Sequence, residues 1–265
     1  MEHPQQPPAP DLTPIKEQVY RDPRPKEYFD RFHERARTRE PDLAYEIVQT
    51  LTGLYAWTFF RLRAISPEKV PASGPVIVAP NHSSFMDHFF VGMSIRRKVR
   101  FMAKSQLFKR PMQFVFSHGG VFPIRRGYRD EDAFITAETI LEKGGCVGMY
   151  SEGGRSRTGN LGEKVRPGIG RLALQSGATI VPVAIHGSSK VRNWKRLKFP
   201  AVTVQYGDPM RFVRVSEPTR DQQQAVANAI FVEIRKLYDA LDQHGRAATV
   251  ARAREERRSG RTATA

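Results

Sequence analysis

A histidine and an aspartate, His82 and Asp87, are the residues of this sequence best suited to proton-transfer chemistry. They lie in the run NHSSFMD (residues 81–87), directly after a short apolar stretch at residues 76–79. Ser84 and Asp87 have the spacing of a helix-capping pair, so a helix is predicted to begin here. A carboxylate one turn inside that helix can accept the Nδ1 proton of His82 and leave Nε2 free to take up a proton, as in a catalytic base pair that lacks its own nucleophile.

Two other interpretations of these residues stay open. His82 can be a structural histidine at a helix start, with Asp87 as the helix cap. A metal site would add His88 as a third ligand type, but adjacent residues on a helix point in different directions, so these side chains converge poorly. The sequence therefore predicts no metal at this position.

A pair of arginines follows a second predicted strand. Residues 119–127 (GGVFPIRRG) run from an apolar segment into Arg125 and Arg126. An arginine at a strand end can bind a phosphate through two parallel hydrogen bonds. Ordinary surface charge is the alternative, since the chain carries 43 lysines and arginines.

A glycine-rich turn follows a third predicted strand, in residues 149–157 (MYSEGGRSR). Gly153 and Gly154 allow backbone N–H groups to approach a ligand, Arg155 supplies charge, and Glu152 can orient an arginine or bond a hydroxyl. A flexible loop is the alternative, and the spacing of a nucleotide-binding P-loop is absent. Because all three polar clusters follow apolar strands, the sequence predicts one shared cleft.

The elements that position these clusters alternate along the chain. Strands are predicted at residues 76–79, 99–102, 121–124, 146–150, 179–185 and 202–206. Helices with one apolar face are predicted at residues 130–143, at 167–176, and from Thr219 onward, where Thr219 and Gln222 have capping-box spacing. This alternation predicts an α/β fold with a mixed, mostly covered β-sheet flanked by helices.

An apolar stretch precedes this alternation. The run IVQTLTGLYAWTFF, residues 47–60, has no charged residue. It is shorter than the about 20 apolar residues that cross a bilayer. It predicts a helix that either packs on the core or lies in a membrane interface, with Tyr55, Trp57, Phe59 and Phe60 at the headgroup level.

The domain organisation predicted from these patterns has four parts. A disordered or charged N-terminal arm at residues 1–40 precedes an amphipathic, apolar interface helix at 41–64. The α/β domain occupies residues 65–244, and a mobile basic tail follows at 245–265. The N-terminus is rich in proline and has no apolar signal segment, which predicts that the catalytic side is cytoplasmic.

Charge restricts the partners without choosing among them. The chain of 265 residues has a formal net charge of +16, which suits nucleic acid, an anionic membrane, an acidic protein or a phosphate-rich small molecule. Zinc-finger spacing, an RNA-recognition aromatic motif and a basic zipper are all absent from the sequence, which argues against specific nucleic-acid binding. The single cysteine excludes an intrachain disulfide.

Taken together and in order, these segments resemble the glycerolipid acyltransferases, the lysophosphatidate acyltransferase group in particular. Asn81, His82 and Asp87 resemble the first motif of that family, and Arg126 is placed as the arginine of the second. Three positions depart from the usual pattern and line the expected acceptor-phosphate site: Arg125, Ser151 and Gly154. The matching segments are residues 81–87, 101–108 (FMAKSQLF), 122–127 (FPIRRG), 150–156 (YSEGGRS) and 181–183 (VPV).

The resemblance implies a reaction and the residues that carry it. His82 is the general base oriented by Asp87, and it activates an acceptor hydroxyl for direct attack on an acyl thioester. The acceptor-binding positions are Arg126, Glu152, Gly153 and Arg155. No metal, cofactor or covalent acyl-enzyme is implied; coenzyme A or acyl-carrier protein delivers the acyl group as a substrate.

The implied acceptor is 1-acyl-sn-glycerol 3-phosphate, and the implied product is phosphatidate. The implied location is the cytoplasmic face of the cell membrane, with peripheral or monotopic attachment to an anionic surface. Another lysophospholipid or a glycolipid as acceptor, a basic nucleic-acid-binding protein, and an inactive scaffold of the same fold are the alternatives.

Overall fold

Seven strands form one mixed sheet in the part of the chain that the structure, a computed structural model, describes: Leu12 and residues 21–262. The order is β1-β7-β6-β2-β5-β3-β4, and neighbours are parallel except for β6 and β7. The strands are β1 Arg63–Ile65, β2 Val76–Pro80, β3 Val99–Lys104, β4 Phe122–Ile124, β5 Cys146–Gly148, β6 Thr179–His186 and β7 Thr203–Tyr206.

Helices cover both faces of the sheet. The α-helices are α1 Glu27–Thr38, α2 Leu43–Phe59, α3 Asp87–Ser94, α4 Met112–His118, α5 Glu131–Glu142, α6 Gly168–Ser176 and α7 Arg220–Thr262. Because side chains alternate along a strand, β2 serves both layers. Ile77 and Ala79 belong to the core formed with α5, α6 and α7, whereas Val76 and Val78 belong to the core formed with α2 and α3. The predicted α/β class with a covered sheet is confirmed.

Six of the strands lie where the sequence pattern places them, with ends shifted by up to two residues. β1 is not predicted, because three residues beginning with an arginine carry no apolar alternation. The capping box at the start of α7 is present: the Thr219 N–H donates to Gln222 Oε1 at 2.8 Å, and the Gln222 N–H donates to Thr219 Oγ1 at 3.2 Å.

The N-terminal arm is in part a packed helix. Although α1 is dense in charge, one of its faces buries Phe29, Phe32 and Ala36. His33 on the same face bonds Thr136 of α5, with 2.9 Å between Nδ1 and Oγ1. Residues 27–38 of the predicted disordered or charged arm thus form a charged helix that packs on the domain, while residues 1–11 and 13–20 lie outside the described residues.

The C-terminal segment is helical where a mobile tail is predicted. A kink at Gly245, with φ of 73°, redirects α7, and the helix continues to Thr262. Arg246 fixes the bend because its guanidinium donates to the carbonyl oxygens of Val202 at 2.7 Å and Arg61 at 2.8 Å. Val250 then packs against a small core beside β1. The alanine- and arginine-rich sequence gives little apolar periodicity, so this docking is not visible in it.

Helix α2 begins before the uncharged run because Asp42 caps it, its side chain accepting the Ala44 N–H at 3.1 Å. Its inner face buries Gly53 and Ala56, and Gln49 Nε2 donates to the Gly92 carbonyl of α3 at 2.6 Å. Its outer face is apolar and uncovered in the described structure. The exposed large side chains are Leu43, Ile47, Leu51, Leu54, Tyr55, Trp57 and Phe59. Among the described residues, no helix combines the length and the apolar character needed to cross a membrane.

Candidate active site

The carboxyl ends of four neighbouring parallel strands meet at one edge of the sheet. In the order β2-β5-β3-β4, they lead into the histidine loop, the glycine-rich loop, Lys104 and the arginine pair. One cavity at this edge is lined by His82, Lys104, Arg126 and Arg155, together with Tyr150. The structure therefore brings the three sequence-predicted clusters to one cleft, as parallel pairing requires.

His82 and Asp87 are in direct contact, with 2.8 Å between Nδ1 and Oδ2. Asp87 is fully buried at the first position of α3, and His82 is 14% exposed. The backbone N–H groups of Ser83 and Ser84 each donate to the same Oδ2 at 2.7 Å. In this arrangement Nδ1–H of His82 donates to the Asp87 carboxyl oxygen, which leaves Nε2 as the basic nitrogen.

The glycine-rich loop holds His82 from both sides of its backbone. The His82 N–H donates to Glu152 Oε1 at 3.1 Å, and the His82 carbonyl accepts the Ser156 N–H at 2.7 Å. The ring of Tyr150 stacks on the imidazole, with 3.8 Å between centroids and 17° between planes. These contacts fix the imidazole beside the cavity. Sequence reasoning did not identify Tyr150 as part of the site, because a tyrosine at a strand end has an ordinary place in a core.

Burial lowers the pKa of His82 below its ordinary value of 6.5. The hydrogen bond and charge of Asp87 oppose this effect, whereas the charges of Arg155 and Arg126 add to it. The imidazole is therefore neutral at physiological pH, which is the state that a general base requires.

Glu152 and Gly153 are not among the residues that line the cavity. Burial raises the pKa of Glu152 to about 8, and its carboxyl group accepts hydrogen bonds from the backbone N–H groups of His82 and Gly162. Gly153 has φ of 66°, and a Cβ there would lie 2.7 Å from Arg166 Cγ, so this turn requires glycine. Its N–H donates to the Tyr150 carbonyl at 3.1 Å. In this structure both residues shape the loop that carries Arg155 and support His82.

Three cations converge on the cavity: Lys104, Arg126 and Arg155. Burial lowers the pKa of Lys104, and the charges of Arg155 and Arg126 lower it further. Positive groups close enough to disfavour one another form a site that a phosphate would stabilise. Lys104 was not among the predicted site residues. Its position at the end of β3, in line with the other clusters, was the signal that could have identified it.

The two neighbouring arginines after β4 diverge. Arg126 lines the cavity, whereas Arg125 faces the N-terminal segment, where its Nη2 donates to the Arg24 carbonyl at 3.2 Å. The Arg125 guanidinium also lies over the ring of Tyr128, 4.3 Å from its centroid. The resemblance to the family singles out Arg126, which the structure places at the cavity. The same resemblance also places Arg125 at the acceptor-phosphate site, and the structure corrects this, because Arg125 does not line the cavity.

A further arginine ties the two site loops together. Arg192 donates through Nη2 to the Ser83 carbonyl at 2.7 Å and through Nη1 to the Arg157 carbonyl at 3.1 Å. It also bonds the Ser156 carbonyl. Arg192 lies in the 3₁₀ segment Ser188–Arg196, which has no periodic pattern, so sequence reasoning missed it. Within the described residues, no group of three or more His, Cys, Asp or Glu side chains is arranged to hold a metal ion.

His82, held by the buried carboxyl group of Asp87, lies beside the converging side chains of Lys104, Arg126 and Arg155. Residues 61–186 match the family model described as Acyltransferase. This part of the chain is similar to the acyltransferases.

Named relatives within that family are similar over part of their length. The chain is 27% identical over 149 residues to the chloroplastic 1-acyl-sn-glycerol-3-phosphate acyltransferase LPAT1 of Arabidopsis thaliana, covering 55% of this chain and 41% of that protein. It is 24% identical over 186 residues to the 1-acyl-sn-glycerol-3-phosphate acyltransferase of Bacillus subtilis, covering 69% and 90%. The chain thus spans less than half of the plant protein and most of the bacterial one.

A solved structure shares the fold. The crystal structure of the 1-acyl-sn-glycerophosphate acyltransferase PlsC from Thermotoga maritima superimposes with a TM-score of 0.56 and 21% sequence identity. The match covers 80% of this chain and 88% of that chain. At this identity the match shows the fold alone, and it agrees with the helix-flanked mixed sheet described above.

Replacing Asp87 by asparagine is expected to lower the pKa of His82 below its wild-type value, because the carboxylate that favours the imidazolium is removed. NMR titration of the histidine ring signals measures the change. Asp130→Asn is the matched control: Asp130 raises the pKa of His33, so that variant should lower the pKa of His33 and leave His82 unchanged. A His82 pKa that stays the same or rises in Asp87→Asn would contradict the described pair.

Proposed function

We propose that this protein transfers a fatty acyl group from an acyl thioester to the free hydroxyl of 1-acyl-sn-glycerol 3-phosphate and so forms phosphatidate. The observation that carries the proposal is one cavity lined by the base His82 and by the cations Lys104, Arg126 and Arg155. A base that can take a hydroxyl proton lies beside groups suited to bind a phosphate. The substrate 1-acyl-sn-glycerol 3-phosphate carries both a hydroxyl and a phosphate. The names of the plant and Bacillus relatives support the same acceptor.

In the proposed mechanism, His82 Nε2 takes the proton of the acceptor hydroxyl as its oxygen attacks the thioester carbonyl carbon. The carbon–sulfur bond then breaks, and the leaving thiolate takes the proton from His82. Asp87 keeps the ring oriented and stabilises its transient positive charge. Acyl transfer is direct, so the chain contributes a base and binding groups and forms no acyl-enzyme.

Positively charged side chains are proposed to bind the phosphate of the acceptor. Arg126 and Arg155 are the proposed phosphate contacts. Lys104 joins them because it lines the same cavity and its pKa is lowered by both arginine charges. Glu152 and Gly153 act through the loop that holds His82 and carries Arg155. The acyl donor is acyl-coenzyme A or acyl-carrier protein, each of which is anionic and suits a chain of net charge +16.

We also propose that α2 attaches the protein to the cytoplasmic face of an anionic membrane, peripherally or as a monotopic helix. Its outer face presents large apolar side chains, among them Leu51 at 63% and Trp57 at 56% exposure. Exposed Arg61 and Arg63 follow directly and can meet lipid phosphates. A membrane-bound position would also bring the cavity to a lysophospholipid acceptor.

His82→Ala is expected to lower the turnover of acyl thioester with 1-acyl-sn-glycerol 3-phosphate by about 10²- to 10⁴-fold, because the general base is lost. Assays of the full chain in detergent or vesicles measure this, with circular dichroism as a check of folding. His244→Ala, an exposed histidine on α7, is the matched control and should keep wild-type turnover. Equal activity of the His82→Ala and wild-type proteins would remove His82 from the mechanism.

Arg155→Met is expected to raise the KM for 1-acyl-sn-glycerol 3-phosphate by about tenfold or more, since a charge-assisted phosphate contact contributes about 1.5–3 kcal/mol. The same variant should change turnover of a monoacylglycerol, which lacks the phosphate, much less. Arg125→Met, on the arginine that faces away from the cavity, is the control. A wild-type preference for a phosphate-free lysophospholipid or glycolipid acceptor would overturn the phosphate role and indicate another acceptor.

Flotation with anionic vesicles tests α2. Wild-type protein is expected to float, and part of the binding should survive high salt, because apolar insertion is not screened. The double variant Leu51→Glu, Trp57→Glu should lose the salt-resistant part. Val213→Glu changes a side chain of 85% exposure away from α2 and should float like wild type. Wild-type protein that stays in the soluble fraction at low salt would rule out this attachment.

A further inference from the structure

Two cavities of different character meet beside the catalytic pair. The first is the polar cavity described above, lined by His82 and the cations. The second is an apolar cavity enclosed by α2, α3, β3 and α4, with Val48, Phe89 and Met93 among its lining residues. A fatty acyl chain suits the apolar cavity, and a charged acceptor suits the polar one.

Four residues line both cavities: His88, Phe101, Phe116 and Val121. Three of them have hydrocarbon side chains. His88 is the one that can form a hydrogen bond, so the boundary between the two cavities has a single polar side chain among its shared lining residues.

The Nε2 atom of His88 is buried and has no hydrogen-bond partner among the residues that the structure describes. The ring is surrounded by aromatic side chains, with centroid distances of 4.0 Å to Phe89, 5.2 Å to Phe85 and 6.0 Å to Phe101. Leaving such a nitrogen unpaired costs folding free energy. Because this nitrogen also lies at a ligand-sized cavity, it is available to bond a ligand.

The protonation state of His88 suits a donor. Burial lowers the pKa of His88 to about 3, so the imidazole is neutral at physiological pH. A neutral imidazole carries one N–H, which can be on Nε2. It can therefore donate a hydrogen bond without competing with His82 for the acceptor proton.

The reaction places a specific atom at this boundary. In an acyl thioester, the carbonyl carbon joins the apolar chain to the reacting centre. With the chain in the apolar cavity and the acceptor hydroxyl at His82, the carbonyl lies where the two cavities meet. We propose that the Nε2–H of His88 donates a hydrogen bond to the carbonyl oxygen of the acyl thioester and to the oxyanion formed from it; this inference rests on the proposed acyl transfer.

The step balances without a further reagent. The acceptor O–H proton passes to His82 Nε2 as the new C–O bond forms, and the carbonyl π electrons move onto oxygen. His88 keeps its own proton and stabilises that negative charge. When the C–O⁻ group returns to a carbonyl, the C–S bond breaks and the thiolate takes the proton from His82.

Three substitutions of His88 test whether its side chain acts as a hydrogen-bond donor or only packs against its neighbours. His88→Leu removes the donor and should lower kcat by about 10²- to 10³-fold, the range seen when one oxyanion donor is lost. KM for both substrates and the acid limb of the pH profile, which belongs to His82, should change little. His88→Gln places an amide N–H near the position of Nε2 and should recover at least about tenfold of the lost kcat, whereas His88→Asn, which mimics Nδ1, should not.

The thermal stability of the His88→Leu protein is not expected to fall with its turnover. Because His88→Leu removes an unpaired nitrogen from an aromatic surrounding, its Tm should rise or stay equal while kcat falls. Full activity of His88→Leu would overturn the proposal. So would a parallel loss of Tm and kcat in the leucine, glutamine and asparagine variants, because that pattern describes a packing role.

A spectroscopic arm distinguishes failure of this inference from failure of the proposed function. Acyl-coenzyme A with an isotope-labelled carbonyl is bound to His82→Ala protein, and its carbonyl stretch is recorded by infrared difference spectroscopy. The stretch should move to lower frequency than in water, and the shift should disappear in His82→Ala, His88→Leu. Phe116→Leu in the same background alters the shared wall without a polar group and should keep the shift.

A carbonyl frequency in His82→Ala, His88→Leu equal to that in His82→Ala alone would overturn the role of His88, whatever the turnover of the wild type. Conversely, wild-type protein without turnover would sink the proposed reaction, while a carbonyl shift that depends on His88 would still identify the thioester site. The two conclusions therefore fail on different measurements.

Discussion

The buried carboxylate of Asp87 is the constraint on which the site depends. An anion with no solvent exposure needs donors, and one oxygen, Oδ2, receives three: the His82 ring and the backbone N–H groups of Ser83 and Ser84. Because these donors belong to one short loop, satisfying the charge also sets the path of the chain from β2 into α3. The same bonds that stabilise the ion therefore position the base.

Burial shifts the pKa values of two side chains at that loop in opposite directions: it lowers that of His82 and raises that of Glu152. Burial keeps His82 neutral, and it also keeps Glu152 largely protonated at neutral pH, since its pKa is raised to about 8. Lys104 and its neighbouring arginines are gathered at the cavity wall. The site thus has a neutral base beside concentrated positive charge, an arrangement in which an incoming anion is favoured and the base remains free to take a proton.

Sequence patterns were most informative where polar clusters follow apolar strands. Parallel strands have their carboxyl ends at one edge, so a shared cleft for the three clusters followed from their positions after apolar strands, and the family resemblance singled out Arg126 within its cluster. Residues that act from outside such clusters were missed. Arg192 reaches the site from a 3₁₀ segment, and Tyr150 acts by stacking, which has no spacing signature. The helical end of α7 was missed for the same reason: Arg246 holds it through backbone carbonyls, and backbone acceptors are invisible in a residue pattern.

The convergence of Lys104, Arg126 and Arg155 also affects how the protein folds. Gathering three cations at one partly buried wall opposes folding, since Lys104 lies in the unfavourable field of Arg155 and Arg126. A bound anion offsets this repulsion only in the native state, so anion binding and folding stability are thermodynamically linked, and a ligand at about 100 times its Kd adds about 2.7 kcal/mol to the native state. Unfolding and proteolysis are therefore expected to be easiest when no anion occupies the site.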